Sequence, residues 1–270
     1  MDRRIKFPIS DNNVALFIAY MDRKGYAKGT IISYVSAIGY FHRTLNLKEL
    51  ASSNLIKRSL AGLSKDKVKP RRKPIQIKDL IRLVKASKAY LPKREDITFR
   101  TIALLLFYGF FRISEVVGDK RVNIPPLSRE DIKLHRDKIY IRLNQYKHSK
   151  GNIARVTIKR QNNSSICPVN TLHEYLNEFG KDQLKFVNKF GSPLTKNSFS
   201  RLLRKCSQSA GYKTHFTSHC FRIGAATHAS RLGHSEIQIK AMGRWRSQAY
   251  VGYIRKAKPL MTKGEKARDV

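Results

Sequence analysis

The stretch Ile102-Ala-Leu-Leu-Leu-Phe-Tyr-Gly-Phe-Phe111, followed at once by Arg112-Ile-Ser-Glu115, decides the architecture. Ten nearly continuous apolar positions leave no polar face, so this segment is expected to be a helix buried on all sides. Such a helix needs elements packed around it. The guanidinium of Arg112, delivered at the end of that run, needs an anion: a structural partner in Glu115 or Asp119, or a bound one.

Just upstream, Ile77, Leu80, Ile81, Leu83 and Val84 form a helical stripe. Downstream, Asp131-Ile-Lys-Leu-His, Lys138-Ile-Tyr-Ile-Arg-Leu-Asn and Ile153-Ala-Arg-Val-Thr-Ile-Lys alternate apolar and polar, with a turn at Lys150-Gly-Asn, and read as a small antiparallel sheet. Cys167-Pro168 opens a helix through Leu172, Tyr175 and Leu176, with Pro168 in its first turn. From Asn197 onward the pattern is again mostly helical. Near the start, Val14, Phe17, Ile18 and Met21 form one stripe, Gly25 breaks it, and Thr30 precedes a second stripe of Ile31, Tyr34, Val35, Ile38, Phe41 and Leu45. The fold class is therefore mainly α with a small antiparallel β-sheet (α+β). A helical domain at 1–64 and a basic, proline-bounded linker at 65–74 precede a larger domain at 75–270.

Composition narrows the partner. Among 270 residues, Lys+Arg number 55 and Asp+Glu 19, a formal net charge of +36. Such a surplus repels itself unless a polyanion lies against it. Residues 1–73 hold 16 basic and 5 acidic side chains, so both lobes are basic, and a basic strap joining them suits closure around a duplex. A hydrophobic fraction of 41% is enough for a core, which excludes a disordered basic tail. No apolar run approaches the ~18 residues of a membrane span and no signal-peptide pattern opens the chain, so a soluble intracellular protein is expected. Cys167, Cys206 and Cys220 lack the spacing of a disulfide framework or zinc site. His42, His135, His148, His215, His228 and His234 share no ligand spacing and read as surface or core residues.

His219-Cys-Phe-Arg222 sets an imidazole and a guanidinium on one face of a helix expected to begin near Thr217-Ser218, and its small residues Gly224-Ala-Ala226 permit close packing. Further on stands Gly243-Arg-Trp245-Arg-Ser-Gln-Ala-Tyr250-Val-Gly-Tyr253-Ile-Arg255, with the sole tryptophan of the chain.

In this order, R-I-S-E after an apolar helix, a hairpin lysine, H-x-x-R, G-R-W and Y-I-R, the sequence resembles the tyrosine recombinase (phage integrase) superfamily over nearly its full length. Its wording is most similar to the recombinases of eukaryotic DIRS-type retrotransposons and Crypton elements. The resemblance implies a core-binding (SAM-like) DNA-binding domain at 1–64 and a catalytic domain from Ile75. It implies catalytic roles for Arg112, Lys147, His219, Arg222, Trp245 and Tyr253, with Glu115 supporting Arg112. Lys150 competes with Lys147 for the hairpin role, and Tyr250 competes with Tyr253 for the nucleophile. Arg71, Arg72, Lys73, Lys150 and Arg244 are expected to contact DNA.

The chemistry suits these types. Phosphodiester transfer builds negative charge on phosphorus, and planar guanidiniums can stabilise it. A phenol with a reference pKa of ~10 needs local positive charge and a proton acceptor, such as His219. The leaving oxygen needs a proton, which a lysine in a cationic site can give. Few acids stand in clusters, so no metal and no cofactor are expected. The implied product is a 3′-phosphotyrosyl enzyme with a free 5′-hydroxyl. Double-stranded DNA is the expected partner, bound by a homo-tetramer, with no membrane or small-molecule substrate, in the nucleus of a eukaryote or otherwise in the cytoplasm on DNA. A catalytically inactive, domesticated DNA-binding protein and a type IB topoisomerase-like relaxing enzyme are the alternatives.

Overall fold

The computed structural model describes residues 7–63, 72–119, 121, 124–146, 151–180, 186–187, 192–213 and 216–254. The chain divides into two compact units, residues 1–71 and 72–270.

Among the described residues the first unit holds three α-helices, α1 (Asp11–Arg23), α2 (Lys28–Thr44) and α3 (Asn54–Gly62). Ser10 caps α1 by accepting from the Asn13 N–H, and Ser53 caps α3 by accepting from the Ile56 N–H. Gly25, at φ 77°, takes the left-handed turn that ends α1. α2 starts at Lys28, two residues before the expected Thr30. Its buried face also differs: Ile31, Val35, Gly39 and His42 point inward, while Tyr34, Phe41 and Leu45 are each half exposed or more. The apolar stripe is wider than the strip that two short neighbouring helices can cover, so its flank stays in solvent. His42 is a satisfied core histidine; Nε2 accepts from the Ile9 N–H at 3.2 Å and Nδ1 donates to the Lys48 carbonyl at 3.0 Å.

In the second unit, α5 (Lys93–Tyr108) is buried from Asp96 to Phe107, as the apolar run requires, and packs against α4 (Ile77–Tyr90), α7 (Pro168–Phe179), α8 (Lys196–Ser209) and α9 (Ser218–Arg231). Arg100 enters this core as a cation and is fully paired. It bonds Asp96 through Nε at 3.0 Å and grips Glu174 of α7 with two bonds of 2.9 Å. Strands β1 (Ile132–Leu134), β2 (Lys138–Leu143) and β3 (Ala154–Lys159) form an antiparallel meander in the order β1-β2-β3. Ile139, Ile141 and Leu143 face the core, whereas the opposite face sets Lys138 across from Lys159 and Arg142 across from Arg155. Mainly helical with one small antiparallel sheet, this is the expected fold class.

Two devices hold the chemically important side chains in place. The short α6 (Ile113–Val117) follows the buried α5 after a connection of four residues, and Arg112, the last of them, is held in an extended conformation immediately before the first residue of α6. On α9, a Cβ at Gly224 would stand 2.0 Å from the Ile75 carbonyl oxygen, so only glycine lets the backbone of residues 74–76 cross the helix there. The Ile75 N–H donates to the Cys220 carbonyl at 3.1 Å, tying that segment to the turn bearing His219 and Arg222.

Candidate active site

The centre of the site is a carboxylate ringed by cations. Glu115 has no exposed side-chain surface; it accepts from the Arg112 N–H at 3.0 Å and pairs with Arg112 Nη1 at 2.9 Å. The oxygen that takes the Arg112 N–H also takes Arg244 Nη2 at 3.0 Å. Burial alone would raise the Glu115 pKa, but Arg244, Arg222 and Arg112 outweigh it and hold the carboxyl below the usual range. Arg112 keeps about a fifth of its side chain in solvent, less buried than its apolar neighbours suggested. The alternative acid, Asp119, is taken by Lys196 and Arg121.

Arg244, expected to contact DNA, is largely enclosed by its surroundings. Its side chain is only 8% exposed, and beyond Glu115 it donates to the carbonyls of Gly109, Phe110 and Met242 at 3.1–3.2 Å, with its guanidinium over the Phe111 ring. It is an internal strut. Its own backbone is in the left-handed region, φ 55°, so the chain turns sharply after α10 (Glu236–Met242) and sends this side chain inward. Nothing in the periodicity of the sequence signals that turn; Gly243 before it is the one hint, since a Cβ there would strike the Trp245 ring at 1.6 Å.

Arg222, one turn after His219 on α9, is wholly buried. Its two Nη atoms donate to the carbonyls of Phe110 and Gly243, and Nε has no described partner. The Trp245 ring lies over its guanidinium, 4.4 Å from Cζ to centroid. Burial pushes its pKa down to about 9, aided by Arg112, so it remains a cation at neutral pH. His219 is pushed down to about 4, first by burial and then by Arg72, Arg222 and Arg112. Its imidazole is therefore neutral at pH 7 and able to accept a proton.

Tyr253 follows a 3-10 turn, Gln248–Gly252, and its ring centroid is 5.0 Å from that of His219 and 5.0 Å from that of Trp245. Its carbonyl accepts from Thr227 Oγ1 at 3.2 Å, which pins the segment to α9. Tyr250 is placed otherwise: it is buried, and its hydroxyl donates to Glu236 Oε2 at 2.8 Å, an interaction that raises its pKa. A small second core of Phe110, Ala225, Ala226, Ile239, Trp245 and Tyr250 packs against Tyr253.

The structure thus brings Arg112, Glu115, His219, Arg222, Trp245 and Tyr253 together. Lys147 and Lys150 of the hairpin, and Arg71, His148, His215 and Arg255, lie outside the described residues. Tyr146, just before the hairpin segment, lines a 390 Å³ cleft with Lys240, Arg244 and Trp245, so β2 leads the chain to the rim of the site. Arg72 and Lys73 are exposed. Among the described residues no group of His, Cys, Asp and Glu is placed to hold a metal ion, and no helix is long and apolar enough to cross a membrane.

This fold with this cationic pocket defines a member of the phage integrase family, whose model matches residues 73–258; the chain belongs to that family. A tyrosine recombinase of Agathobacter rectalis is 26% identical over 251 residues, spanning 86% of this chain and 76% of that protein. Among solved structures, the XerH site-specific recombinase bound to palindromic difH substrate superposes with a TM-score of 0.64 at 16% identity, covering 91% of this chain and 69% of that one. The Tn1549 transposon integrase with transposon right-end DNA gives 0.63 at 14% identity, covering 93% and 82%. A lambda integrase dimer bound to a core site gives 0.61 at 14% identity, covering 97% and 67%.

Proposed function

We propose that this chain is a site-specific DNA recombinase or integrase of a mobile genetic element, akin to the DIRS and Crypton type, which cleaves and rejoins strands through a 3′-phosphotyrosyl intermediate. One observation carries the reading: residues from three segments, 112–115, 219–222 and 244–253, converge so that a tyrosine ring meets a neutral imidazole beside two guanidiniums.

In this reading Tyr253 Oη attacks the phosphorus and its proton passes to His219, which is neutral at pH 7 because burial and three arginines oppose its charge. Arg112 and Arg222 stabilise the charge that grows on the non-bridging oxygens. The P–O5′ bond breaks, and Lys147, or Lys150 in its place, gives the leaving oxygen a proton. The phosphotyrosyl bond retains the energy of the one broken, so rejoining needs neither metal nor ATP. Arg222 has no exposed surface, so a phosphate meets it only after Trp245 and the 248–253 segment shift; that movement belongs to the cycle. Double-stranded DNA as partner follows from the charge and from the DNA-bound relatives. A homo-tetramer on two duplexes, the 1–64 domain as a second DNA-contacting lobe, and a nuclear site of action belong to the same proposal.

The test is a nicked suicide DNA substrate carrying element-end sequences, with covalent adduct read on a denaturing gel. An adduct linked at the 3′ side, abolished in Tyr253→Phe and in Arg222→Ala but kept in Tyr250→Phe, is expected. Tight binding without an adduct on any substrate would favour the inactive DNA-binding reading instead.

A further inference from the structure

By composition, residues 72–74 read as the end of a flexible linker, yet the described strap they open is welded to the helix that carries His219 and Arg222. The Ile75 side chain is fully buried in the main core. Its N–H donates to the Cys220 carbonyl, and its carbonyl crosses α9 where Gly224 removes the Cβ that would block it. The Gln76 N–H in turn donates to Asp79 at 2.9 Å in the cap of α4. Arg72 stands exposed three residues before this anchor, whose Ile75 N–H bonds the carbonyl of the residue next to His219, and no ion pair joins it to a described carboxylate. A cation held there by a fixed strap, without a counter-charge of its own, is suited to an anion brought from outside.

We propose that Arg72 is a third phosphate-contacting arginine of the site, held beside His219 by the anchored strap, rather than a general DNA-tracking charge of a linker. This rests on the recombinase reading above and extends it. The charges that act on His219 are Arg72 from the strap, Arg112 from the start of α6 and Arg222 from its own helix, and the Tyr253 ring of the C-terminal segment stands against the imidazole. Arg72 is the first of the three arginines in its electrostatic effect on the imidazole. Removing its charge therefore moves the His219 titration upward, while a phosphate bound at Arg72 relieves the same repulsion.

Two readouts on the full chain test this, using Arg72→Gln, Arg72→Lys and, as a control, Lys78→Gln at an exposed position in the first turn of α4. His219 is titrated by NMR of the imidazole, assigned through His219→Gln, and single-turnover cleavage of the suicide substrate is measured beside DNA affinity. Arg72→Gln is expected to raise the His219 pKa and to slow cleavage at saturating DNA by about a hundredfold, the lower end of what one lost charge-stabilising contact costs, with Arg72→Lys recovering the titration and part of the rate. Lys78→Gln should match the wild type in both. An unchanged His219 titration in Arg72→Gln, or a cleavage rate at saturating DNA equal to that of the wild type, would overturn the proposal while leaving the recombinase reading intact. A wild-type chain that forms no adduct would overturn the recombinase reading and the phosphate role of Arg72 together.

Discussion

At the scale of the residue, Glu115 carries the greatest burden, because one buried carboxylate serves two guanidiniums and faces a third. Glu115→Gln removes the counter-charge from a buried cluster, a change that costs about 3–5 kcal/mol when one partner of a buried pair is lost; chemical denaturation measures it. Its lowered pKa adds a pH dependence of known sign. The stability from Glu115 is present in full above its unfolded value of about 4.3 and is lost as pH falls through the lower folded value, so Glu115→Gln should flatten that acid limb. His219 acts higher on the scale: its folded pKa of about 4 lies below the ordinary 6.5, so the unfolded chain binds more protons between these values and stability rises with pH across that window. His219→Gln should remove that part of the slope. Arg244→Lys keeps the charge but cannot span Glu115 and three carbonyls, since an ammonium lacks the planar fork. It is expected to depress cleavage strongly while DNA affinity changes little, a split read by comparing single-turnover rates with binding curves. In sequence an arginine in a basic run resembles any other, and only the left-handed turn at position 244 sends this one inward.

At the scale of the element, the segment from Gly243 to Tyr253 is the part whose placement matters most. It carries the only tryptophan, which covers Arg222. Binding of DNA in the proposed cycle displaces that ring, so intrinsic fluorescence should change on titration with DNA, and Arg222→Ala should alter the starting spectrum. The sheet divides its two faces differently. Its core face follows the alternation visible in the sequence, but its other face sets Arg142 against Arg155 and Lys138 against Lys159. Like charges directly opposite destabilise a ladder, a cost that a screening anion reduces. The α2 helix marks where periodicity runs out: Tyr34 and Phe41 fit the apolar stripe and yet lie in solvent, because a three-helix unit offers too little neighbouring surface to cover it.

For the whole molecule, a formal charge of +36 makes salt the dominant variable in any encounter with a duplex. Each phosphate neutralised contributes about 0.9 to the slope of log affinity against log salt on B-form DNA. A footprint of several phosphates predicts a loss of roughly three orders of magnitude between about 50 and 200 mM salt, measurable by fluorescence anisotropy with any duplex. The covalent step, by contrast, should depend on salt only through occupancy.

The periodic features of this protein were legible in the chain alone: the buried α5, the strand alternation, the start of α9 at Ser218, and the one-turn spacing of His219 and Arg222. Each depends on neighbours a few residues apart, where helix and strand geometry impose their own repeat. Charge, which needs no geometry at all, was equally plain. Packing in three dimensions was needed to show that Glu115 is shared by Arg112 and Arg244, that Arg222 bonds the carbonyls of Phe110 and Gly243, that Tyr253 and not Tyr250 meets His219, and that the strap bearing Arg72 is anchored through Ile75 to α9. Most of those contacts join residues far apart in the chain, and the inward turn of Arg244 hinges on a single backbone torsion. Burial, which decides whether an arginine is a surface charge or a strut, exists only once the chain has packed.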